Sequence, residues 1–241
     1  MARAALVLAL VALTAAPASA QLDLDRLLRG LPPRGPAGAG PGDARIAEGL
    51  KEALRVGADN AVGLTGRLDG YFANQAIRIL MPPELGRLES ALRAVGLGAQ
   101  VDAFVLGMNR AAERAAPEAR GIFWQAIAEM TFDDARRILA GGETAATDHF
   151  RARTTDRLVA AFRPIVETRL NEVGVTRQYK DLVAQVRAIP FLDVTAYDID
   201  SYVVGKALDG LFVVLADEER RIRTDPAARV TEILRDVFSG R

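Results

Sequence analysis

Apolar residues recur along this chain every three to four positions, which is the spacing that places them on one face of an α-helix. The pattern continues from Ala44 to Phe238, and prolines, glycines and capping residues interrupt it where helices should end. The sequence contains no repeat of fixed length, which argues against a solenoid. We predict an all-α fold: a single irregular multi-helix bundle of about nine to ten helices, with at most a short two-stranded ribbon.

Individual residues mark several of the predicted helix ends. Asp43 is placed to cap the first helix and Gly96 to end the second. Thr131 and Asp134 have the spacing of a capping box, and the short helix that they begin should stop at Gly141. The later helices are predicted at residues 143–153, 155–173, 177–188, 200–223 and 226–238.

The helical period also predicts which side chains face the core. These positions are Ile46, Leu50, Leu54 and Ala61 in the first helix, Leu85, Leu88, Leu92 and Val95 in the second, and Val101, Phe104, Val105, Met108 and Ala112 in the third. Two short runs, 77–81 and 194–199, alternate apolar and polar residues instead. They could form the ribbon, but they are better explained as extended connectors.

The first 20 residues are typical of a secretory signal peptide. Arg3 precedes an apolar run from Ala4 to Leu13, and Ala18-Ser19-Ala20 provides the small residues that signal peptidase cleaves after. The run is about ten residues long, well below the ~20 residues of a membrane-spanning helix. We therefore expect an exported protein, located in the periplasm if the source has an outer membrane, with no transmembrane segment once the signal is removed.

Residues 21–43 are predicted to be a flexible N-terminal segment, because 31–43 consist almost wholly of proline, glycine and alanine. Ahead of that stretch, the apolar residues Leu22, Leu24, Leu27 and Leu28 suggest a tethered hook for a partner or for the domain's own groove. The domain organisation is thus a signal peptide (1–20), this segment (21–43) and a helical domain (44–241).

Composition excludes several kinds of function. Lys+Arg and Asp+Glu both number 31 in the 241-residue chain, so it lacks the net positive charge that binding to nucleic acid or to an anionic membrane surface requires. The chain has no cysteine, which excludes disulfides, thiolate catalysis and cysteine-ligated metals. Its single histidine and the absence of HExxH, GxSxG and P-loop motifs leave no recognisable enzyme signature. We expect no nucleic acid, no metal and no cofactor.

The segment 202–216 contains the first candidate site. It is apolar on every side except at Lys206 and Asp209, and such a helix is normally buried at the centre of its domain. The two charged residues share a face; if buried, they either form an ion pair that fixes the helix register or serve a ligand or a proton. Gly205 and Gly210 are predicted to allow close helix contacts.

The second candidate is the polar cluster Asn109, Arg110, Glu113 and Arg114. Asn109 and Glu113 lie one turn apart beside the apolar face, so they flank a possible cleft. Glu113 could reach Arg110 as well as a partner across a helix interface. The alternative is that these residues only make interhelical hydrogen bonds and present solvated arginines.

His149 is the third candidate, as a general base beside Asp148. Adjacent helical residues do not face each other, so a solvent-exposed or capping histidine is the simpler interpretation. A site made only of carboxylates is also conceivable, from Asp133, Asp134, Asp217, Glu218 and Glu219. These residues are better explained as an acidic first turn of one helix and a solvated end of another.

Several runs of residues in a fixed order resemble a known family. They are DGYFANQAIRILMP (69–82), MNRAAERAAPEA (108–119), AIAEMTFDDARRILAGGETAAT (126–147), ALDGLF (207–212) and RTDPAARVTEILRDVF (223–238). These runs are similar to the bacterial family of exported helical proteins catalogued as domain of unknown function 4197. The resemblance spans residues 46–238; it implies an exported all-helical protein and implies no catalytic residue.

The sequence leaves two functions open. The first is a non-enzymatic binding domain of the cell envelope, which takes a partner protein or an apolar small molecule in an exposed groove or cavity. The second is an envelope hydrolase that uses Glu113, Asp209 or His149 as acid or base, which requires at least two of these groups to converge in one pocket.

Overall fold

The structure, a computed structural model, describes residues 41–172 and 198–224. They form the helices α1 (Pro41–Gly66), α2 (Gly86–Ala94), α3 (Gly98–Ala115), α4 (Ala119–Glu129), α5 (Phe132–Ala140), α6 (Ala145–Glu172) and α7 (Ile199–Thr224), with 3-10 turns at Pro83–Leu85 and Ala116–Glu118. These described ranges contain no strand, so the all-α class is confirmed and the predicted number of helices is not. The signal peptide, the leucine hook and the predicted helices 177–188 and 226–238 lie outside them.

Helix α7 is the central element of the fold. It packs against α1, α3 and α6, which explains why its sequence is apolar on so many sides. Phe212 on α7 meets Phe123 on α4 with ring centroids 6.1 Å apart, and Phe123 meets Phe150 on α6 at 5.8 Å. All three rings are fully buried or nearly so, and they join these helices into one core.

The capping residues predict most helix ends correctly. The Thr131 hydroxyl accepts a hydrogen bond from the Asp134 amide, and the Asp134 carboxylate accepts one from the Thr131 amide, which completes the capping box of α5. Gly96 follows α2 with φ +86°, a conformation that favours glycine. Helix α1 begins at Pro41, so the expectation that Asp43 precedes it as a cap is wrong.

One predicted helix break does not exist. Residues 145–172 form the single helix α6, whereas the sequence predicts two helices that separate at residue 154. Thr154 is fully buried inside α6, and its hydroxyl donates to the Phe150 carbonyl at 2.7 Å. This bond satisfies the hydroxyl within the helix, so a polar β-branched residue does not end it.

Two of the predicted core residues are exposed. Val95 is 67% exposed because it follows the last residue of α2, where the helical period no longer applies. Ile46 is 42% exposed because it lies at the edge of the buried stripe of α1, which runs through Ala47, Leu50 and Leu54. The other predicted core positions of the first three helices are buried.

Residues 67–82, here called the connector, link α1 to the turn at Pro83–Leu85. The alternation of apolar and polar residues at 77–81 corresponds to an extended segment that is not part of a strand. Ile77, Ile79 and Met81 are buried, whereas Leu80 is 59% exposed. The connector packs between α3 and α7 through the contacts described below, and this position makes it one wall of a cleft. None of the described helices combines the length and apolarity needed to cross a membrane.

Candidate functional site

One stripe of α7 is not covered by the other helices that the structure describes. It consists of Tyr202, Lys206, Asp209 and Val213, whose spacing of four, three and four residues places them on one face. Lys206 and Asp209 have 49% and 59% exposed side chains, and Val213 is 39% exposed. This stripe forms one wall of a cleft of about 610 Å³. The opposite wall comes from the connector and the turn after it: Ala76, Ile77, Arg78, Leu80, Met81, Pro83 and Glu84.

Buried polar side chains of α3 hold the connector in place. The Asn109 side chain is fully buried; its Oδ1 accepts from the Ile79 amide at 2.9 Å and its Nδ2 donates to the Ile79 carbonyl at 2.7 Å. Glu113, 5% exposed, accepts hydrogen bonds from the amides of Tyr71 and Phe72, both at 3.1 Å. The connector therefore satisfies its backbone groups with side chains instead of a neighbouring strand.

Arg110 reinforces this attachment from the exposed side. Its guanidinium contacts the Glu113 carboxylate at 2.6 Å and the Asp69 carboxylate at 2.7 Å. Asp69 has φ 64°, a left-handed conformation that few non-glycine residues adopt, where the connector leaves α1. Of the predicted polar cluster, Asn109, Arg110 and Glu113 thus contact the connector, a loop, and do not make the interhelical hydrogen bonds expected from the sequence.

The connector is attached to α7 as well. The Tyr71 hydroxyl donates to the Ala207 carbonyl at 2.6 Å, and burial raises the pKa of Tyr71, so the hydroxyl keeps its proton. Tyr202 on α7 donates to the Leu80 carbonyl at 3.1 Å. Gly210 lies so close to Tyr71 and Ile77 that a methyl group there would meet the Tyr71 ring at 2.7 Å. The prediction of a close contact holds for Gly210, whereas Gly205 is exposed and has nothing within 4 Å of such a methyl.

Four charged residues among those that the structure describes line the cleft. Lys206 and Asp209 lie 3.8 Å apart, and Arg151 of α6 approaches the other oxygen of Asp209 at 3.6 Å. The two residues share a face as predicted, but they are half exposed and so do not carry the cost of a buried ion pair. Arg78 and Glu84 make no ion pair with any residue that the structure describes.

His149 lies away from the cleft, on α6. It is half buried, so of the two simpler interpretations, an exposed or a capping histidine, the first is wrong. Burial lowers its pKa, the Asp134 carboxylate partly offsets this, and the nearby Arg153 and Arg137 lower it further. Neither His149 nor Glu113 lines the cleft with Asp209, so the structure does not bring together the acid and base groups that the hydrolase hypothesis requires.

Of the carboxylates near the end of α7, Asp217 is exposed as expected, whereas Glu218 and Glu219 are buried and do not belong to a solvated helix end. Glu219 is buried and accepts from the amides of Ala146 and Thr147 at 2.9 and 2.8 Å, so it binds the first turn of α6, and Arg223 pairs with it at 2.8 Å. Glu218 is also buried; it accepts from Asn60 of α1 at 2.9 Å. Among the described residues, no group of histidine and carboxylate side chains could hold a metal ion.

Four residues that line the cleft do not stand out as site residues in the sequence: Arg78, Glu84, Leu80 and Tyr202. A signal for two of them is present: in an extended run whose odd-numbered residues are buried, Arg78 and Leu80 must point the other way. Tyr202 continues the stripe of Lys206, Asp209 and Val213 by one turn. The position of Glu84 depends on how the turn packs and has no comparable signal.

Comparison with known proteins gives one match. The model of the family described as "Protein of unknown function (DUF4197)" matches residues 40–239, which is most of the chain. No curated protein and no solved structure matches it. The family description assigns no activity, so the chemistry of the cleft must be argued from its geometry.

Proposed function

Because the chain belongs to the family described as "Protein of unknown function (DUF4197)", we propose its function from the cleft itself. The protein is a non-enzymatic binding domain of the cell envelope, and its ligand is a small molecule with an apolar part that enters the cleft between α7 and the connector. The uncovered stripe of α7 is the single observation that carries this proposal.

A helix as apolar as α7 is normally buried all round, and α1, α3 and α6 do bury most of it. The side that they leave open is concave and contains Val213, and it faces the exposed Leu80 of the connector. A volume of about 610 Å³ lies within the range of small-molecule sites, which are lined mainly by apolar groups with a few polar ones. Binding an apolar ligand would remove Leu80 and Val213 from water, which stabilises the complex.

The size of the cleft supports a small molecule over a partner protein, because it is an open groove between two walls and protein interfaces of standard size are broader surfaces. The hydrolase alternative has less support. Asp209 is the one residue of the three proposed acids and bases that lines the cleft, and general acid–base catalysis requires partners within hydrogen-bond reach of the reacting atoms.

Binding can be tested with a neutral fluorescent probe, N-phenylnaphthylamine, titrated into the protein that begins at Gln21. We expect saturable enhancement of fluorescence that Val213→Glu abolishes, because the carboxylate would lie among the apolar groups of the cleft. Val95→Glu is the matched control, since Val95 is exposed and does not line the cleft. Unchanged binding in Val213→Glu, or equal loss in both variants, would contradict the proposal.

The envelope location rests on residues 1–20 and has a separate test. Cells that express the full chain should yield an exported form whose intact mass corresponds to a chain beginning at Gln21. A chain that retains residues 1–20 in the cytosolic fraction would refute export and leave the binding proposal untouched.

A further inference from the structure

The geometry points to a ligand whose apolar part ends in an anionic group, a carboxylate or a phosphate, which Arg78 receives. This inference rests on the proposed function, because it specifies the ligand of the same cleft. It adds the chemistry of one end of that ligand and the residue that selects it.

Arg78 is held ready for such a group. Its guanidinium lies over the Phe72 ring with the central carbon 4.2 Å from the ring centroid, and Phe72 itself packs against the core. Stacking of this kind restrains a guanidinium, whose planar N–H groups match the two oxygens of a carboxylate or phosphate. Arg110 of α3 lies over the same ring, with its central carbon 5.7 Å from the centroid. Arg78 is exposed in the cleft, and no carboxylate of the described residues pairs with it.

The other charges of the cleft do not compete for this role. Lys206 and Arg151 both approach Asp209, at 3.8 and 3.6 Å, so two cations already offset its negative charge. Among the described residues that line the cleft, Glu84 is the other carboxylate, and it makes no ion pair with a described residue. Its charge opposes an anionic ligand, so removing it should strengthen the binding of the anion that Arg78 attracts.

The apolar surface is placed to receive the rest of the same ligand. Arg78 and Leu80 are two residues apart in an extended segment and point to the same side, roughly 7 Å apart along the chain. Leu80 faces the cleft that Val213 lines from α7. A molecule with its anion at Arg78 would therefore extend its apolar chain past Leu80 towards Val213.

The test compares three ligands of equal chain length, decanoate, decyl phosphate and decanol, each measured by displacement of N-phenylnaphthylamine. We expect both anions to bind about ten-fold more tightly than decanol, as a charge-assisted hydrogen bond at a partly exposed site allows. Arg78→Gln should remove this preference, so that in the variant the two anions bind no more tightly than decanol. Glu84→Gln should increase it, and Arg67→Gln is the matched control, an exposed arginine of the connector outside the cleft.

The outcomes separate this inference from the proposed function. If decanol binds as tightly as decanoate, or Arg78→Gln keeps the preference for anions, the inference is wrong and the cleft remains an apolar site. If none of the ligands binds, the proposed function fails as well. Because the chain has no net positive charge, we expect monomeric decanoate to bind without sedimentation on phosphatidylglycerol vesicles, which would assign the anion to a free acid. Sedimentation with the vesicles that Arg78→Gln abolishes would instead assign it to a lipid headgroup held by this one arginine. Either result supports the inference.

Discussion

Replacing Glu113 should destabilise the fold strongly, although the residue pairs with a partly exposed arginine, Arg110. Its carboxylate accepts from the amides of Tyr71 and Phe72 at 3.1 Å and from Arg110 at 2.6 Å. Glu113→Ala removes the acceptor of both amides, and the Tyr71 amide is buried with it. A buried donor without an acceptor costs about 1–3 kcal/mol.

The two amides and the lost contact with Arg110 together predict a decrease of roughly 3–5 kcal/mol in the free energy of unfolding for Glu113→Ala. Glu113→Gln keeps an oxygen that can accept from both amides and loses only the charge. Because Arg110 is 30% exposed and retains Asp69 at 2.7 Å, we expect the glutamine variant to lose about 1–2 kcal/mol.

Urea unfolding followed by far-UV circular dichroism measures both values. Glu118→Ala is a matched control, since Glu118 is exposed just beyond the end of the same helix; it should change the free energy of unfolding by no more than about 0.5 kcal/mol. A cost below about 1 kcal/mol for Glu113→Ala, or equal costs for alanine and glutamine, would refute the argument that the amide bonds dominate.

Three further outcomes follow from the structure, and urea unfolding measures each of them. The double variant Lys206→Met, Asp209→Leu should change stability by less than about 1 kcal/mol because the pair is exposed; a larger loss would show that it is structurally required. Gly210→Ala should lower the free energy of unfolding by about 1–3 kcal/mol, because the new methyl would meet the Tyr71 ring at 2.7 Å and Ile77 at 3.0 Å. Gly205→Ala has open space around it and should raise the free energy of unfolding by up to about 1 kcal/mol through helix propensity. Equal effects of the two substitutions would contradict the close contact at Gly210. Burial lowers the pKa of His149 below its ordinary 6.5, so the unfolded chain takes up this proton more readily, and stability should fall as the pH drops from 6.5 through the lowered pKa of the folded state. His149→Gln should remove that part of the pH dependence between about pH 7.5 and 5, and an unaltered profile would rule the histidine out as its source.

The parts of the fold that the sequence predicts correctly depend on nearby residues. The capping box of Thr131 and Asp134 and the positive φ of Gly96 are set within a few residues of the chain. The helix break predicted at residue 154 is wrong because of another local contact. The Thr154 hydroxyl donates to the Phe150 carbonyl inside the helix, and the sequence does not show this bond. Local signals therefore predict the helices well and misjudge one polar residue that the helix itself satisfies.

The cleft depends on contacts between distant parts of the chain. The sequence shows that α7 is apolar on most sides, but it does not show which stripe of α7 the neighbouring elements leave open. The open stripe is determined by where the connector contacts α7. One such contact is the hydrogen bond from Tyr71 to Ala207, two residues that are 136 positions apart in the sequence. For this reason Lys206 and Asp209 can be noticed from the sequence while their exposure cannot, and Arg78 gains significance only once the connector stands opposite them.

The buried polar residues of α3 and the cleft belong to one arrangement. An extended segment without a partner strand must find acceptors and donors for its backbone, and Asn109 and Glu113 supply them from the buried side. The alternate residues Arg78 and Leu80 remain exposed, Arg78 over Phe72 and Leu80 facing the uncovered stripe of α7. The polar cluster is thus too buried to bind a ligand itself, and it affects function indirectly by fixing the register of the connector. If the connector shifted by one residue, Arg78 would be buried and Ile79 would point outward.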